Sequence, residues 1–333
     1  MNVLSVFDGM SCGRIALDRA GIKYSNYFAS EIDKFALKIA TKNYPDNINL
    51  GNIKNVDYAT LPKIGLLLGG SPCQSLAIAK RQKESGLKKG ESVLFWEFVA
   101  ALRQIRPKYF LFENVASMKK IDKEQITQAL GVEPIMINSA LVSAQQRKRF
   151  YWTNIPGVTQ PEDRNIYLKD ILETGYTERL KSYCVTATYA NTVPVDYFDR
   201  KNRQLVFTKP VRVATIGKGG RAQRVYSIDG KSISISASNG GLGSKTGLYE
   251  IRPYVRKLTP LECKRLQTLP FTGKTFKERG YTEGVSNAQR YKMLGKGWTV
   301  DVIVHILNGL NERHQKRRLK EGREQCSEEK ISE

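Results

Sequence analysis

An apolar run from Val3 to Phe7 breaks at Asp8-Gly9-Met10-Ser11-Cys12-Gly13 and resumes with helical spacing at Ile15, Ala16, Leu17 and Ala20, before Gly21. A short apolar run, a glycine turn and then a 3.6-residue rhythm predict a buried strand, a tight turn and a helix. Tyr24 to Ser30 predicts a second strand ending at Glu31, and Asp33 or Ser30 can cap a helix through Phe35, Ala36, Ile39 and Ala40 that stops near Asn43-Tyr44-Pro45. A third strand end falls at Asn49 to Ile53, and Ile64 to Leu68 predicts a fourth strand that runs into Gly69-Gly70-Ser71-Pro72-Cys73-Gln74. From Ser92 to Arg106 a broad apolar surface (Phe95, Trp96, Val99, Leu102, Ile105) suits a helix packed on a sheet. Tyr109 to Phe112 predicts the next strand, Lys123 to Leu130 a helix stopped by Gly131, and Pro134 to Asn138 and Arg149 to Thr153 two further strands. Strands alternating with helices, opened by a glycine turn, predict an α/β fold: a Rossmann-like sheet with helices on both faces.

From Asn154 the rhythm changes to short β-branched runs, scattered prolines and glycine-rich breaks at 217–220 and 239–243. This predicts an inserted, mostly β subdomain over 159–255, following a catalytic segment at 1–158. Thr259-Pro260-Leu261-Glu262 marks a return to helix over 256–310, with Thr259 as N-cap, Pro260 at the first helical position and Glu262 three residues after the cap. Gln289 to Leu294 and the run Val302, Ile303, Ile306, Leu307 add two more helices. The mixed-charge tail, 311–333, has no core pattern and is expected to be disordered.

Composition narrows the function. Lys and Arg outnumber Asp and Glu by 54 to 32 in 333 residues, a net charge of +22 that favours a polyanionic partner. The five cysteines, Cys12, Cys73, Cys184, Cys263 and Cys326, have no CxxC spacing, which predicts reduced thiols in a cytoplasm. His305 and His314 are the only histidines, so neither a histidine-based zinc site nor a Ser/His/Asp triad can be assembled, and no metal is expected. The opening strand reaches charge at Asp8 without a basic leader or a membrane-length apolar run, so no membrane partner is expected.

The candidate chemistry collects at strand ends. Gly69-Gly70-Ser71-Pro72 delivers Cys73 to the carboxyl edge of the sheet as a candidate nucleophile, although a lone cysteine is also a common space-filler. Glu113-Asn114-Val115 brings a carboxyl group to the same edge, and Gln145-Gln146-Arg147-Lys148-Arg149 adds guanidinium groups. Glu31, about 20 positions after the glycine turn, stands where such folds place a ribose-binding carboxylate. Residues 75–91, with Lys80, Arg81, Lys83, Lys88 and Lys89, read as a basic lid that meets phosphate.

Taken in order, Phe7-Asp8-Gly9, Ala29-Ser30-Glu31, Gly69-Gly70-Ser71-Pro72-Cys73, Leu111-Phe112-Glu113-Asn114-Val115 and Phe150-Tyr151-Trp152 resemble the DNA cytosine-5 methyltransferases. The likeness covers about 3–155 and 256–310, and in motif detail it is nearest to the de novo type catalytic domain and its phage and bacterial relatives. The resemblance implies S-adenosylmethionine as cofactor, double-stranded DNA as substrate, a bacterial or phage-infected cytoplasm, and a cognate restriction endonuclease acting separately. It implies a cofactor pocket lined by Phe7, Asp8, Gly9, Ser11, Glu31, Ile32, Asn52, Ile53 and Trp298, with Glu31 on the ribose and Asn52 beside the adenine. The family usually has an acid where this chain has Asn52. Cys73 and Glu113 would be catalytic, with Arg147 and Arg149 holding the cytosine and ordering the acid. Ser71, Pro72, Gln74, Asn114, Lys80 and Arg81 would lie along the substrate.

An RNA methyltransferase and an inactive binding scaffold are the rival readings. The RNA branch carries Cys-Phe-Thr after its proline, against Cys73-Gln74-Ser75 here, and inactive relatives lose the cysteine, the acid or the cofactor turn, all kept in this chain. Within 159–255, Lys218 to Arg224 and Ser238 to Lys245 combine glycines with side chains able to make paired hydrogen bonds to bases. Arg221, Gln223 and Arg224 are the expected base readers.

Overall fold

The computed structural model describes residues 1–72, 93–208, 255–269 and 281–311, together with three short strands between 214 and 250. Its frame is a seven-stranded sheet built from β1 (Asn2–Val6), β2 (Tyr27–Ser30), β3 (Ile48–Asn49), β4 (Ile64–Gly69), β5 (Tyr109–Val115), β6 (Ile135–Asn138) and β7 (Lys148–Thr153). The spatial order is β3-β2-β1-β4-β5-β7-β6. All neighbours through β5 are parallel, whereas β7 runs antiparallel to both β5 and β6. The order reverses between β1 and β4, which is where open α/β sheets leave a crevice at their carboxyl ends.

Alternation along each strand splits the apolar residues between two cores. Val3, Leu66, Leu68 and Leu111 face one side, and Leu4, Val6, Leu67, Phe110 and Phe112 face the other. The first side is covered by α1 (Cys12–Arg19), α2 (Lys34–Asn43) and α9 (Val300–Leu307), through residues such as Ile15, Ile39 and Ile303. The second is covered by α3 (Phe95–Ile105) and α4 (Lys120–Leu130), through Phe98, Val99 and Ile126. Gly69 lets α3 approach closely, because a Cβ there would lie 2.7 Å from Phe98 and 2.9 Å from Val6.

Several expected boundaries move, each for a local reason. β2 starts at Tyr27 and not at 24, since the Tyr24 hydroxyl accepts from Arg14 Nε (2.9 Å) and donates to Asp18 Oδ1 (2.8 Å), tying it to α1. β5 continues past Phe112 to Val115 because β7 pairs with it there, Glu113 opposite Tyr151 and Val115 opposite Arg149. Where a strand end was expected at 49–53, β3 stops at Asn49 and Asn52 caps a 3-10 turn, its Oδ1 accepting from Lys54 N at 3.1 Å.

The larger difference concerns 159–208, read from the sequence as the beginning of the β subdomain. This stretch holds two short helices, α5 (Leu168–Ile171) and α6 (Pro194–Phe198), and one strand, β8 (Leu205–Phe207). Leu168, Ile171, Val185, Tyr189 and Val206 join the same core as Leu258, Cys263 and Leu294. Lys181 reinforces the seam by donating to the carbonyl oxygens of Ala140, Ser143 and Ile166. The scattered apolar residues of this stretch therefore join the core on one side of the main sheet. Strands β9 (Ala214–Thr215), β10 (Arg224–Ser227) and β11 (Leu248–Glu250) form a small sheet, and β12 (Val255–Lys257) pairs with β8.

The chain returns through α7 (Pro260–Leu266) and α8 (Asn287–Lys296) into α9. Thr259 caps α7 as the sequence predicts: its Oγ1 accepts from Glu262 N (3.1 Å) while Glu262 Oε2 accepts from Thr259 N (2.8 Å). Among the described residues no helix is long and apolar enough to cross a membrane, and no metal-binding cluster of acids, histidines and cysteines occurs.

Candidate active site

Chain ends from β1, β2, β4 and β5 converge because their registers align, Val6 beside both Ser30 and Gly69, and Gly69 beside Phe112. After β1 the backbone turns sharply, with Phe7, Gly9 and Ser11 all at positive φ (57°, 60° and 62°). Two of these are not glycine, so the loop is held in a conformation that its surroundings must enforce. Asp8 provides that hold: its Oδ2 accepts from Ser11 Oγ and its Oδ1 from Tyr27 OH, both at 2.6 Å. Burial pushes the Asp8 carboxyl up to about 6, with Glu31 adding to the effect and the hydroxyls of Ser11, Ser5 and Tyr27 opposing it.

Glu31 follows β2 and gathers backbone donors. Its Oε2 accepts from Gly9 N (2.8 Å) and its Oε1 from Ile32 N (2.8 Å) and Asp33 N (2.7 Å). A carboxylate oxygen has two acceptor directions, so Oε2 keeps one for a further hydroxyl. Among the described residues, apart from its chain neighbours, nothing lies within 4 Å of a Cβ built on Gly9, so they leave the space above this turn open. Ile32, 69% exposed, lies beside it, and Ser30 Oγ donates to Gly51 O (2.7 Å), bringing the Asn52 turn alongside. A carboxylate beside an open glycine turn and an exposed apolar side chain form a set that fits a nucleoside cofactor such as S-adenosylmethionine. Ile53, by contrast, is buried in the core under the sheet.

Glu113, near the end of β5, is gripped from both sides. Arg149 Nε sits 2.6 Å from Oε1, and Trp298 Nε1 donates to Oε2 at 3.1 Å. Next to it Asn114 Nδ2 donates to Ser71 Oγ (3.3 Å) and reaches Ser71 O (3.5 Å), tying the β5 end to the turn that enters Cys73. Cys73, Gln74, Lys80, Arg81, Arg221 and Gln223 lie outside the described residues; Arg224 begins β10, and its side chain also lies outside.

Arg147 is bound to backbone carbonyl groups. Only 4% exposed, its guanidinium donates to Val185 O (3.1 Å), Gly295 O (3.2 Å) and Gly297 O (2.9 Å) and meets Cys184 Sγ at 3.2 Å. It fastens the segment before Trp298, while Arg149 is the arginine beside Glu113. Three residues absent from the expected site share this fastening. Gln145 Nε2 donates to Leu266 O (2.7 Å) and Gln267 Oε1 (3.0 Å), and Thr299 Oγ1 donates to Gln267 Oε1 (2.9 Å). Cys184 lies against the arginines; burial raises its thiol, but Arg147 and Arg149 bring it below the ordinary cysteine value. These contacts cross up to 150 positions, and no spacing rule in the sequence could have announced them.

Comparison with known proteins identifies the family and the fold. The family described as C-5 cytosine-specific DNA methylase matches residues 1–312. Type II methyltransferase M.HhaI of Haemophilus parahaemolyticus is 27% identical over 330 residues, covering 92% of this chain and 93% of its own. Orphan methyltransferase M.SPRI of Bacillus phage SPR is 25% identical, covering 93% and 97%. Among solved structures, Entamoeba histolytica methyltransferase EhMeth superposes with a TM-score of 0.63 at 16% identity, over 94% of this chain and 98% of its own. Spodoptera frugiperda DNMT2 follows at 0.60 and 18%, over 93% and 99%. At these identities the two structures show a shared fold.

Proposed function

From the premise that this chain belongs to the C-5 cytosine-specific DNA methylase family, and is thus a DNA cytosine-5 methyltransferase, we propose that it works through a covalent Cys73 adduct on a flipped cytosine. The supporting observation is the doubly held Glu113, tied through Asn114 to the turn that leads into Cys73.

Cytosine C5 is a weak nucleophile until a group adds at C6, and a thiolate adds reversibly. Cys73 is that group. Its electron pair forms the bond to C6 and pushes charge toward N3, where a proton shared with Glu113 stabilises it. Arg149 keeps the carboxyl group aimed while donating toward the base edge. Glu31 would hold the ribose of S-adenosylmethionine, with Ile32 and Asn52 beside the adenine, and the bound cofactor would supply an electrophilic methyl group. Water then takes the C5 proton, the C5–H electron pair forms the C5=C6 double bond, and the Cys73–C6 pair returns to sulfur as thiolate, which restores aromaticity. Because C5 and C6 are stacked inside duplex DNA, the cytosine must leave the helix, at a cost of a few kcal/mol, and the net charge of +22 favours the duplex that supplies it.

The test is Cys73→Ser, assayed by transfer of a labelled methyl group from S-adenosylmethionine to mixed-sequence duplex DNA. Transfer should vanish while binding of S-adenosylhomocysteine persists, and retained transfer would refute the adduct. Bisulfite sequencing of DNA from cells expressing the wild-type chain should show cytosine conversion blocked in a defined sequence context.

A further inference from the structure

The geometry points to Trp298 as a positioning residue for the catalytic acid: its indole N–H fixes Glu113 Oε2, making a clamp with Arg149 across the end of β5. This rests on the reading of Glu113 as the acid. Held by Trp298 at 3.1 Å on one oxygen and by Arg149 at 2.6 Å on the other, the carboxyl plane is kept from rotating.

Three further observations separate this contact from incidental packing. A Cβ on Gly70 would lie 3.0 Å from both Glu113 Oε2 and Trp298 Nε1, so a residue without a side chain stands at the point where the two groups meet. The backbone on either side of Trp298 is anchored. Gly297 O accepts from Arg147 (2.9 Å) and Gln267 (3.3 Å), and Thr299 Oγ1 accepts from Ser139 (3.0 Å) and Gln145 (3.4 Å). Gln145, Gln267 and Thr299 are at most 1% exposed, and a polar network this deep is tolerable only when its bonds are made. Finally, the six-membered edge of the ring rests on Gly13, where a Cβ would approach Trp298 Cζ3 at 3.4 Å. One side chain therefore touches the start of α1, beside the cofactor turn, and the acid. It places the methyl-donor side of the pocket and the proton-handling side in a fixed relation.

Trp298→Phe keeps the ring and removes the donor. The expected result is a split: kcat falls by roughly 10-fold or more, the size of a lost bond to a charged group, while affinity for S-adenosylhomocysteine stays within about 3-fold. A purely structural or cofactor-holding Trp298 would instead weaken that affinity and leave kcat intact, and wild-type kinetics throughout would equally overturn the assignment. A second readout needs no ligand. The chain has three tryptophans, so the Trp298 indole N–H resonance is identified by its absence in Trp298→Phe. In the free protein this resonance should move on Glu113→Gln while the other two stay, and indifference to Glu113 would overturn the contact. If the wild-type chain transfers no methyl group to DNA, the functional reading fails, and the resonance still decides the contact.

Discussion

A single methyl group at position 70 tests the clamp from its empty side. Gly70 has no positive φ, so alanine fits its backbone, and the perturbation is steric alone. The added Cβ would lie 3.0 Å from Glu113 Oε2, 3.0 Å from Trp298 Nε1 and 3.4 Å from Glu113 O. Ordinary contact begins near 3.4 Å, so the neighbours must yield by about 0.4 Å. Arg149 holds the far oxygen and the residues flanking Trp298 are anchored, so the movement should open the Trp298–Glu113 bond itself. Stretched by that amount from 3.1 Å, the bond leaves the hydrogen-bonding range. Loss of a bond to a charged group, about 1.5–3 kcal/mol, corresponds to a roughly 10- to 100-fold fall in the methyl-transfer rate. Overpacking adds about 1–3 kcal/mol of destabilisation. Single-turnover transfer from labelled S-adenosylmethionine measures the first effect and urea denaturation the second. A folded Gly70→Ala protein that binds S-adenosylhomocysteine and transfers methyl groups at the wild-type rate would refute the reasoning.

Two other outcomes can be measured without DNA. Glu262 is fully buried, paired through both oxygens with Arg256 at 2.8 Å, and accepts the backbone N–H groups of Glu173 and Thr259; Glu262→Ala should cost about 3–5 kcal/mol in urea denaturation, and a loss under ~1 kcal/mol would show that the pair is dispensable. Asp8 has its folded pKa raised from 3.8 to about 6, so its contribution is fully present below the lower value and is lost as pH rises through the upper one. Stability of Asp8→Asn relative to wild type should therefore climb by roughly 3 kcal/mol between about pH 4 and pH 8; a pH-independent difference would exclude the titration.

What could be read from the chain alone was what is local. The strand-turn-helix opening, the run into Gly69-Gly70-Ser71-Pro72, the Thr259 cap and the candidate acids Glu31 and Glu113 all lie within a few residues of the pattern that announces them, and the parallel frame follows from their order. Two kinds of feature were not readable in this way. Residues 159–208 have the composition of a β insertion, yet Tyr189 belongs to the main core, its hydroxyl accepting from Leu258 N at 2.9 Å. Burial against a partner 69 positions away leaves no periodic trace. The second kind is the division of labour between Arg147 and Arg149. Their types and spacing are identical on paper, but only the fold decides that one finds backbone carbonyl groups and the other a carboxylate.

That division has a simple geometric origin. From Gln145 into β7 the chain is extended, so side chains alternate between two faces. Gln145 and Arg147 are buried and Arg149 is partly so, whereas Gln146 and Lys148 between them are exposed. Three inward donors at two-residue intervals span about 13 Å. They meet in turn the Gln267–Thr299 network, the Gly295 and Gly297 carbonyl groups, and Glu113. Thr299 and Gly297 flank Trp298, whose indole returns to Glu113, so the five-residue segment closes a ring of contacts around the acid. Each link is directional and largely shielded from water, and such links hold geometry better than exposed ion pairs do. Arg147 therefore bears on where Trp298 sits and Arg149 on how Glu113 is held: removing Arg147 would take a donor from the carbonyl groups of Val185, Gly295 and Gly297, and removing Arg149 would take one from Glu113.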